Sequence, residues 1–200
     1  MALDFHNSTD DRSRQDWRNA LRREMVARRA GLSPEQHAEM SARIVGHLLN
    51  FFSQFDGMTI GFCWPIKNEP DVRAAIDAWR QSGARATLPV VTAPNTPLAF
   101  REWRPETPLM PDRHGIPTPM EGDWLTPDAL LLPLNAFDMA GFRLGYGGGY
   151  FDRTLAALSP RPLAIGVGFE MNRVESIQPQ PHDQALDWIV TEAGINPVTR

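Results

Sequence analysis

Residues 129–134 read Ala-Leu-Leu-Leu-Pro-Leu, a continuous apolar run without polar alternation. A run of this kind suits a strand covered on both faces, as strands of parallel sheets are. Soon after it comes Arg143-Leu144-Gly145-Tyr146-Gly147-Gly148-Gly149-Tyr150-Phe151-Asp152-Arg153, in which four of the five residues 145–149 are glycine. A helical pattern then runs from about Tyr150 to Leu158. Strand, glycine loop and helix in succession are the building unit of an α/β layered protein. This succession constrains the chain more than any other feature it carries.

The remaining segments agree with such a layering. The pattern predicts a helix from about Ser13 to Ala30, where Trp17, Leu21 and Met25 recur at four-residue steps and form an apolar stripe. Arg18 and Arg22 share another face by the same spacing. Gly31 reads as the end of this helix. Ser33-Pro34-Glu35-Gln36 supplies a cap, a proline at the first position and a glutamine at the third, so a second helix is expected to run to about Phe52. Strands are expected at Met58–Cys63, Ala86–Val91, Leu98–Trp103, Ala129–Leu134, Leu163–Phe169 and Asp187–Val190. Asp71 can cap a helix from Val72 to about Arg80. Residues 104–128 are rich in proline and read as a long loop with short turns. The expected fold is α/β: a single layered domain with a mainly parallel central sheet flanked by helices. Residues 1–11 read as a flexible arm and residues 12–200 as one domain.

Composition excludes several classes. Among 200 residues, Cys63 is the single cysteine, which rules out an internal disulfide framework and a multi-cysteine metal site. No stretch approaches the length of a membrane-spanning helix. Met1 to Asp11 lacks the basic-then-apolar pattern of a secretory signal, so a cytoplasmic protein is expected. The net charge is -4, yet seven arginines between Arg12 and Arg29 face only Asp16 and Glu24. A local positive stripe on an acidic protein points to a small anionic ligand rather than a long nucleic acid. The same stripe read alone also fits a solvated helix face. Nineteen of the 20 basic residues are arginine, leaving Lys67 as the only lysine.

The glycine segment carries the chemistry. Glycines permit positive φ and remove side chains, so backbone N–H groups can converge on an anion. The following helix start adds a favourable dipole. The segment is neither a Walker A loop, because no Gly-Lys-Ser/Thr follows, nor a dinucleotide fingerprint, because Tyr150 stands where its third glycine belongs. Asp152, in the first helical turn, is either a cap or a ligand for magnesium beside phosphates. His182-Asp183 offers a second carboxylate, with a loop cap as the alternative.

Pro133-Leu134-Asn135-Ala136-Phe137-Asp138, a spacer, and Gly141 to Arg153 together resemble the signature of the 5-formyltetrahydrofolate cyclo-ligase family. In order and spacing, the opening arginine helix, Asn68-Glu69-Pro70-Asp71, His114 to Pro119, and Pro181-His182-Asp183 with Leu186-Asp187 and Val190-Thr191 are similar to other parts of that family. The resemblance spans about residues 17–192.

It implies a Rossmann-like cyclo-ligase fold. It also implies conversion of 5-formyltetrahydrofolate to 5,10-methenyltetrahydrofolate with ATP as co-substrate and Mg2+ as cofactor. By resemblance, Arg18, Arg22 and the segment Arg143, Leu144, Gly145, Tyr146, Gly147, Gly148, Gly149, Tyr150 and Phe151 would hold ATP, with Arg143 and Tyr150 catalytic. Arg22, Trp64, Glu69, Tyr146 and Tyr150 would contact the folate, and Asp152 and Asp183 the metal. The partners implied are these small molecules, with no nucleic acid and no membrane, acting on a monomer. The chain departs from the family in having Arg18 where a lysine is usual, Gly148 where some relatives have lysine, and Thr118 and Pro70 at two further positions. The alternative reading is a nucleotide- and folate-binding paralogue with lost or altered turnover.

Overall fold

The computed structural model describes the backbone of residues 5–53 and 55–199, with side chains from Arg12 onward. Two long helices open the chain, α1 (Phe5–Ala30) and α2 (Pro34–Phe51). They are followed by β1 (Thr59–Gly61), α3 (Arg73–Gln81), β2 (Arg85–Val90) and β3 (Ala99–Trp103). Next come β4 (Leu109–Pro111), β5 (Pro117–Pro119), β6 (Ala129–Pro133), β7 (Ala136–Phe137) and β8 (Arg143–Leu144). The chain ends with α4 (Tyr150–Ala157), β9 (Leu163–Val167), β10 (Trp188–Thr191) and β11 (Gly194–Pro197). Of the arm expected over residues 1–11, residues 5–11 are helical and extend α1 toward the N-terminus; residues 1–4 lie outside the described residues.

The main sheet has seven strands in the order β11-β10-β9-β6-β1-β2-β3. The strands from β10 to β2 pair in parallel, and the two edges, β3 and β11, run antiparallel to their neighbours. The apolar run 129–133 is the middle strand, as its lack of alternation requires. Its side chains divide between two cores. Leu131 packs with Ile44, Leu48, Ile76 and Trp79 from α2 and α3, while Leu130 and Leu132 pack on the other face with Leu155 of α4. Both faces are thus covered by helices. A third cluster seats α1, through Leu21 and Met25, on Ala136 and Leu144 of the small β7–β8 hairpin.

Local signals account for the ends of the elements. Ser33 Oγ accepts from the Gln36 N–H at 3.2 Å while the Gln36 side chain accepts from the Ser33 N–H at 2.9 Å, the reciprocal cap that the sequence spells. Asp71 accepts from the Arg73 N–H at 3.1 Å, although the helix cap position is Val72. Two expectations need correction. Residues 104–128 are not all loop, because Leu109–Pro111 and Pro117–Pro119 pair as a short antiparallel ribbon. Proline-rich strands escape a search based on alternation. Trp17 is 38% exposed, and the inward face of α1 is carried by Arg18, Leu21, Met25 and Arg29 instead.

Close packing at the sheet yields one expected stability effect. A Cβ on Gly166 in β9 would lie 2.5 Å from Leu186 Cδ1 and 2.8 Å from Leu134 Cδ2. Gly166→Ala is therefore expected to cost about 1–3 kcal/mol, as overpacking does, seen as a lower urea midpoint with an unchanged slope.

Candidate active site at the switch point of the sheet

The strand order reverses between β1 and β6: the chain passes from β1 outward to β2 and β3 on one side, and from β6 outward to β9 and β10 on the other. In open parallel sheets, ligands bind outside the carboxyl ends of strands at such a point. A cleft of about 480 Å3 opens there. Its walls include Cys63 and Trp64 after β1, Pro89 and Val91 at the end of β2, Pro133 at the end of β6, and the glycine loop. Of the residues expected at the site, Arg18, Arg22, Trp64, Glu69, Arg143, Gly145 to Asp152 and Asp183 all line this cleft. Leu144 does not. Its side chain is fully buried against Leu21 and Met25, because the strand alternation turns it away from its neighbour.

The loop has the backbone that its glycines permit. Gly147 has φ 98° and Gly149 has φ 63°, the latter as the left-handed cap of α4. The first bond of the helix runs from the Arg153 N–H to Gly149 O at 3.2 Å, so the N–H groups of Tyr150, Phe151 and Asp152 have no partner within the helix. Arg22 donates from Nε to Gly145 O at 2.9 Å and from Nη1 to Asn19 at 2.7 Å. Burial and the neighbouring Arg18 both push the Arg22 pKa below its ordinary value. An anion in the cleft would relieve that repulsion.

Both candidate metal carboxylates are held by arginines. Arg18 meets Asp183 through two bonds of 2.7 and 3.1 Å, and both side chains are buried. Arg143, also buried, lies 3.3 Å from Asp152 and donates to Gln184 O at 3.1 Å. Asp152 in turn accepts from the Gln184 N–H at 3.1 Å. Among the described residues, no group of three or more His, Cys, Asp or Glu side chains is arranged to hold a metal. Magnesium takes one or two carboxylates and completes its shell with phosphate oxygens and water; Asp152 and Asp183 both line the cleft beside the glycine loop, each paired with an arginine.

The Arg18–Asp183 pair carries a pH signature. Burial pushes the Asp183 pKa up, but the bonds from Arg18 and the Gln180 N–H outweigh it and hold the carboxyl below its ordinary 3.8. A depressed folded pKa stabilises the protein above the unfolded value, and that contribution is lost as the pH falls through the folded one. Asp183→Asn is therefore expected to flatten the fall in melting temperature below about pH 4, measured against the parent chain by thermal unfolding.

The opposite wall is built on Glu69. It is 4% exposed, accepts from Tyr146 Oη at 2.6 Å and from the Ile66 N–H at 3.1 Å, and its backbone oxygen bonds His37. Burial raises its pKa despite Tyr146, Ile66, Arg29 and Lys67. Trp64 stands edge-on to Trp103 at 6.0 Å, with Arg73 stacked 5.0 Å from its ring. Arg113 reaches over from the β4–β5 turn to bond the Tyr150 hydroxyl.

Sequence reading missed several of these residues. Arg29, fully buried, donates to Lys67 O at 2.9 Å, Asn135 Oδ1 at 3.1 Å and Tyr146 Oη at 3.1 Å. Its signal was present in the helical spacing of Arg18, Arg22, Met25 and Arg29, which shares a face with the site. Lys67 sits 4.8 Å above the Tyr146 ring, and Asp112, His114 and Ile116 bring the β4–β5 turn to the cleft.

Fold and cleft together are those of an α/β protein with a glycine loop, whose candidate site lies at the sheet's switch point. A sequence model of the 5-formyltetrahydrofolate cyclo-ligase family matches residues 14–192. The chain is 29% identical to a 5-formyltetrahydrofolate cyclo-ligase of Haemophilus influenzae, covering 84% of this chain and 94% of that one. It is 31% identical to one of Mycolicibacterium smegmatis, over 69% and 75%. Among solved structures, a 5,10-methenyltetrahydrofolate synthetase of Aquifex aeolicus is similar, with a TM-score of 0.79, 25% identity and coverage of 92% and 93%. One from Mycoplasma pneumoniae follows, with a TM-score of 0.73, 26% identity and coverage of 88% and 98%. The chain belongs to the 5-formyltetrahydrofolate cyclo-ligase family and is a ligase. No helix among the described residues is long and apolar enough to cross a membrane.

Proposed function

We propose that this chain converts 5-formyltetrahydrofolate to 5,10-methenyltetrahydrofolate at the expense of ATP, as a cytoplasmic monomer acting on small molecules without nucleic acid. The observation that carries the reading is convergence. Three arginines from two separate parts of the chain, Arg18, Arg22 and Arg143, meet the glycine loop and the start of α4 in one cleft, opposite the buried Glu69.

An amide oxygen is a poor nucleophile, and oxide is a poor leaving group. The formyl oxygen takes the γ-phosphoryl group of ATP and ADP is released. Nitrogen 10 then attacks the activated carbon and gives up its proton, and phosphate departs with the former formyl oxygen. Catalysis of such a transfer is chiefly positioning and charge neutralisation. Gly145 to Phe151 cradle the phosphates beside Arg22, and Arg18, whose fork holds Asp183, adds positive charge there and exchanges that partner for phosphate oxygens when they bind. Arg143 steadies the transferring group, with Tyr150 beside it. Magnesium, when bound, supplies charge neutralisation at the phosphates, and Asp152 and Asp183 would hold it. Glu69 accepts bonds from the donor-rich pterin ring and orients it, while Trp64, Tyr146 and Tyr150 offer apolar walls.

The test is incubation with ATP, magnesium and 5-formyltetrahydrofolate while the methenyl absorbance is followed. Appearance of that absorbance together with ADP supports the reading. Folded protein that produces neither contradicts it.

A further inference from the structure

We propose that Tyr146 couples the two halves of the cleft: anchored in the glycine loop, it grips Glu69 through its hydroxyl, so that order imposed on the loop by a nucleotide reaches the folate wall, and the reverse. This rests on the assignment of the two walls under Proposed function, and adds a positioning role to Tyr146.

The bond itself is the first ground. Tyr146 Oη donates to Glu69 Oε1 at 2.6 Å and spans 77 positions of sequence. It joins the loop that leads into α4 to the turn that follows β1. Among the described residues no other side-chain hydrogen bond ties residues 145–149 to that turn.

The second ground is the way the hydroxyl is held. Arg29 Nη2 donates to the same oxygen at 3.1 Å. Arg29 cannot swing, because it also donates to Lys67 O at 2.9 Å and Asn135 Oδ1 at 3.1 Å within a fully buried setting. A hydroxyl that receives a bond from a cation becomes a better donor to the carboxylate beyond it. Lys67 Nζ, 4.8 Å over the ring, presses on the same side chain.

The third ground is capacity. A carboxylate has about four acceptor positions. Tyr146 and the Ile66 N–H occupy one on each oxygen of Glu69. The others remain for a ligand, on a group whose orientation the loop has already set. Tyr146 as a whole is 42% exposed while its hydroxyl lies between buried Arg29 and Glu69, so this one side chain ties a loop that lines the cleft from Gly145 to Gly149 to the opposite wall.

Coupling between two ligands is reciprocal, so it can be read from either one. The test is isothermal titration of 5-formyltetrahydrofolate with and without a non-hydrolysable ATP analogue and magnesium, on the parent chain and on Tyr146→Phe. The analogue is expected to tighten folate binding about 5–10-fold in the parent chain and less than about twofold in the variant. Removing the hydroxyl leaves the ring and its packing, and Glu69 keeps the Ile66 N–H while Arg29 keeps Lys67 O and Asn135 Oδ1, so the variant is expected to fold. A second measurement is amide exchange of residues 145–149 on adding 5-formyltetrahydrofolate alone, with protection rising in the parent and not in the variant. A purely structural role for the hydroxyl would lower the melting temperature and leave the coupling ratio unchanged. Equal coupling in both chains, or none in the parent, overturns the proposal while the function stands. A parent chain that binds neither ligand overturns the reading of the cleft, and this proposal with it.

Discussion

Asp152→Ala is expected to reduce magnesium-dependent turnover by at least about 100-fold, the scale on which a single charge-stabilising group matters in such transfers. It should also weaken the fold. The Asp152 carboxylate lies 3.3 Å from the buried Arg143 and accepts from the Gln184 N–H at 3.1 Å. Truncation strands the arginine's charge and that N–H together. A cost of about 3 kcal/mol follows, the lower end for breaking a buried pair, because Asp152 keeps some contact with water. Asp152→Asn separates the two effects. Its amide oxygen still accepts from Gln184, but it offers the metal no charge. Turnover should fall nearly as far as in the alanine variant, with a smaller loss of melting temperature. ADP release and thermal unfolding measured side by side check both. Near-parental ADP release in the asparagine variant would remove Asp152 from the metal role.

Arg29→Met is the second large effect, and it concerns stability first. Arg29 is fully buried, and its guanidinium serves Lys67 O, Asn135 Oδ1 and Tyr146 Oη while standing 3.9 Å from Glu69. Methionine fills much of the volume and satisfies none of these acceptors. Glu69 is left as a buried acid with its nearest full positive charge gone. The expected cost is about 3–5 kcal/mol, which for a chain of this size lowers the melting temperature by roughly 6–20 °C. Arg28→Met is the control. Arg28 pairs with Glu24 at 2.7 Å in a setting where both side chains are about half exposed. Exposed pairs of that sort contribute about 0–1 kcal/mol, so its unfolding midpoint should barely move. Equal midpoints for the two variants would contradict the burial of Arg29 and the network drawn around it.

The contrast between these neighbouring arginines shows where reading the chain stops. Periodicity placed Arg18 and Arg22 on one face, and that face does meet the glycine loop. It could not say how far along α1 the face continues, because arginine is a surface residue by default and its burial depends on partners supplied from elsewhere. Arg29 is buried only because Lys67 O, Asn135 and Tyr146 arrive from distant parts of the chain. Trp17 failed in the opposite sense. An apolar residue at helical spacing was expected inside, but α1 lies against a narrow hairpin and the cleft, and Trp17 falls outside both.

The central strand and the glycine loop were legible because their causes are local. A strand covered on both faces needs an unbroken apolar run. A backbone that turns through φ 98° and 63° at Gly147 and Gly149 needs residues without a Cβ. The cap at Ser33 is local in the same way. The β4–β5 ribbon was not legible, since Leu109–Pro111 and Pro117–Pro119 lack alternation and pair only because the flanking chain brings them together.

From the sequence alone came the α/β layering, the glycine loop at residues 145–149 with the expectation that it holds an anion, and the family resemblance, each carried by neighbours along the chain or by helical spacing. Only the tertiary structure decided that Arg18 engages Asp183, that Arg143 engages Asp152, and that Tyr146 and Arg29 hold Glu69. Those partners stand between 9 and 165 positions apart, counted along the chain. Arg143 and Asp152 are brought together by the course of the glycine loop between them; the distant pairs are set by which strand ends share the switch point of the sheet, a property of how seven strands are ordered and of no single stretch of residues.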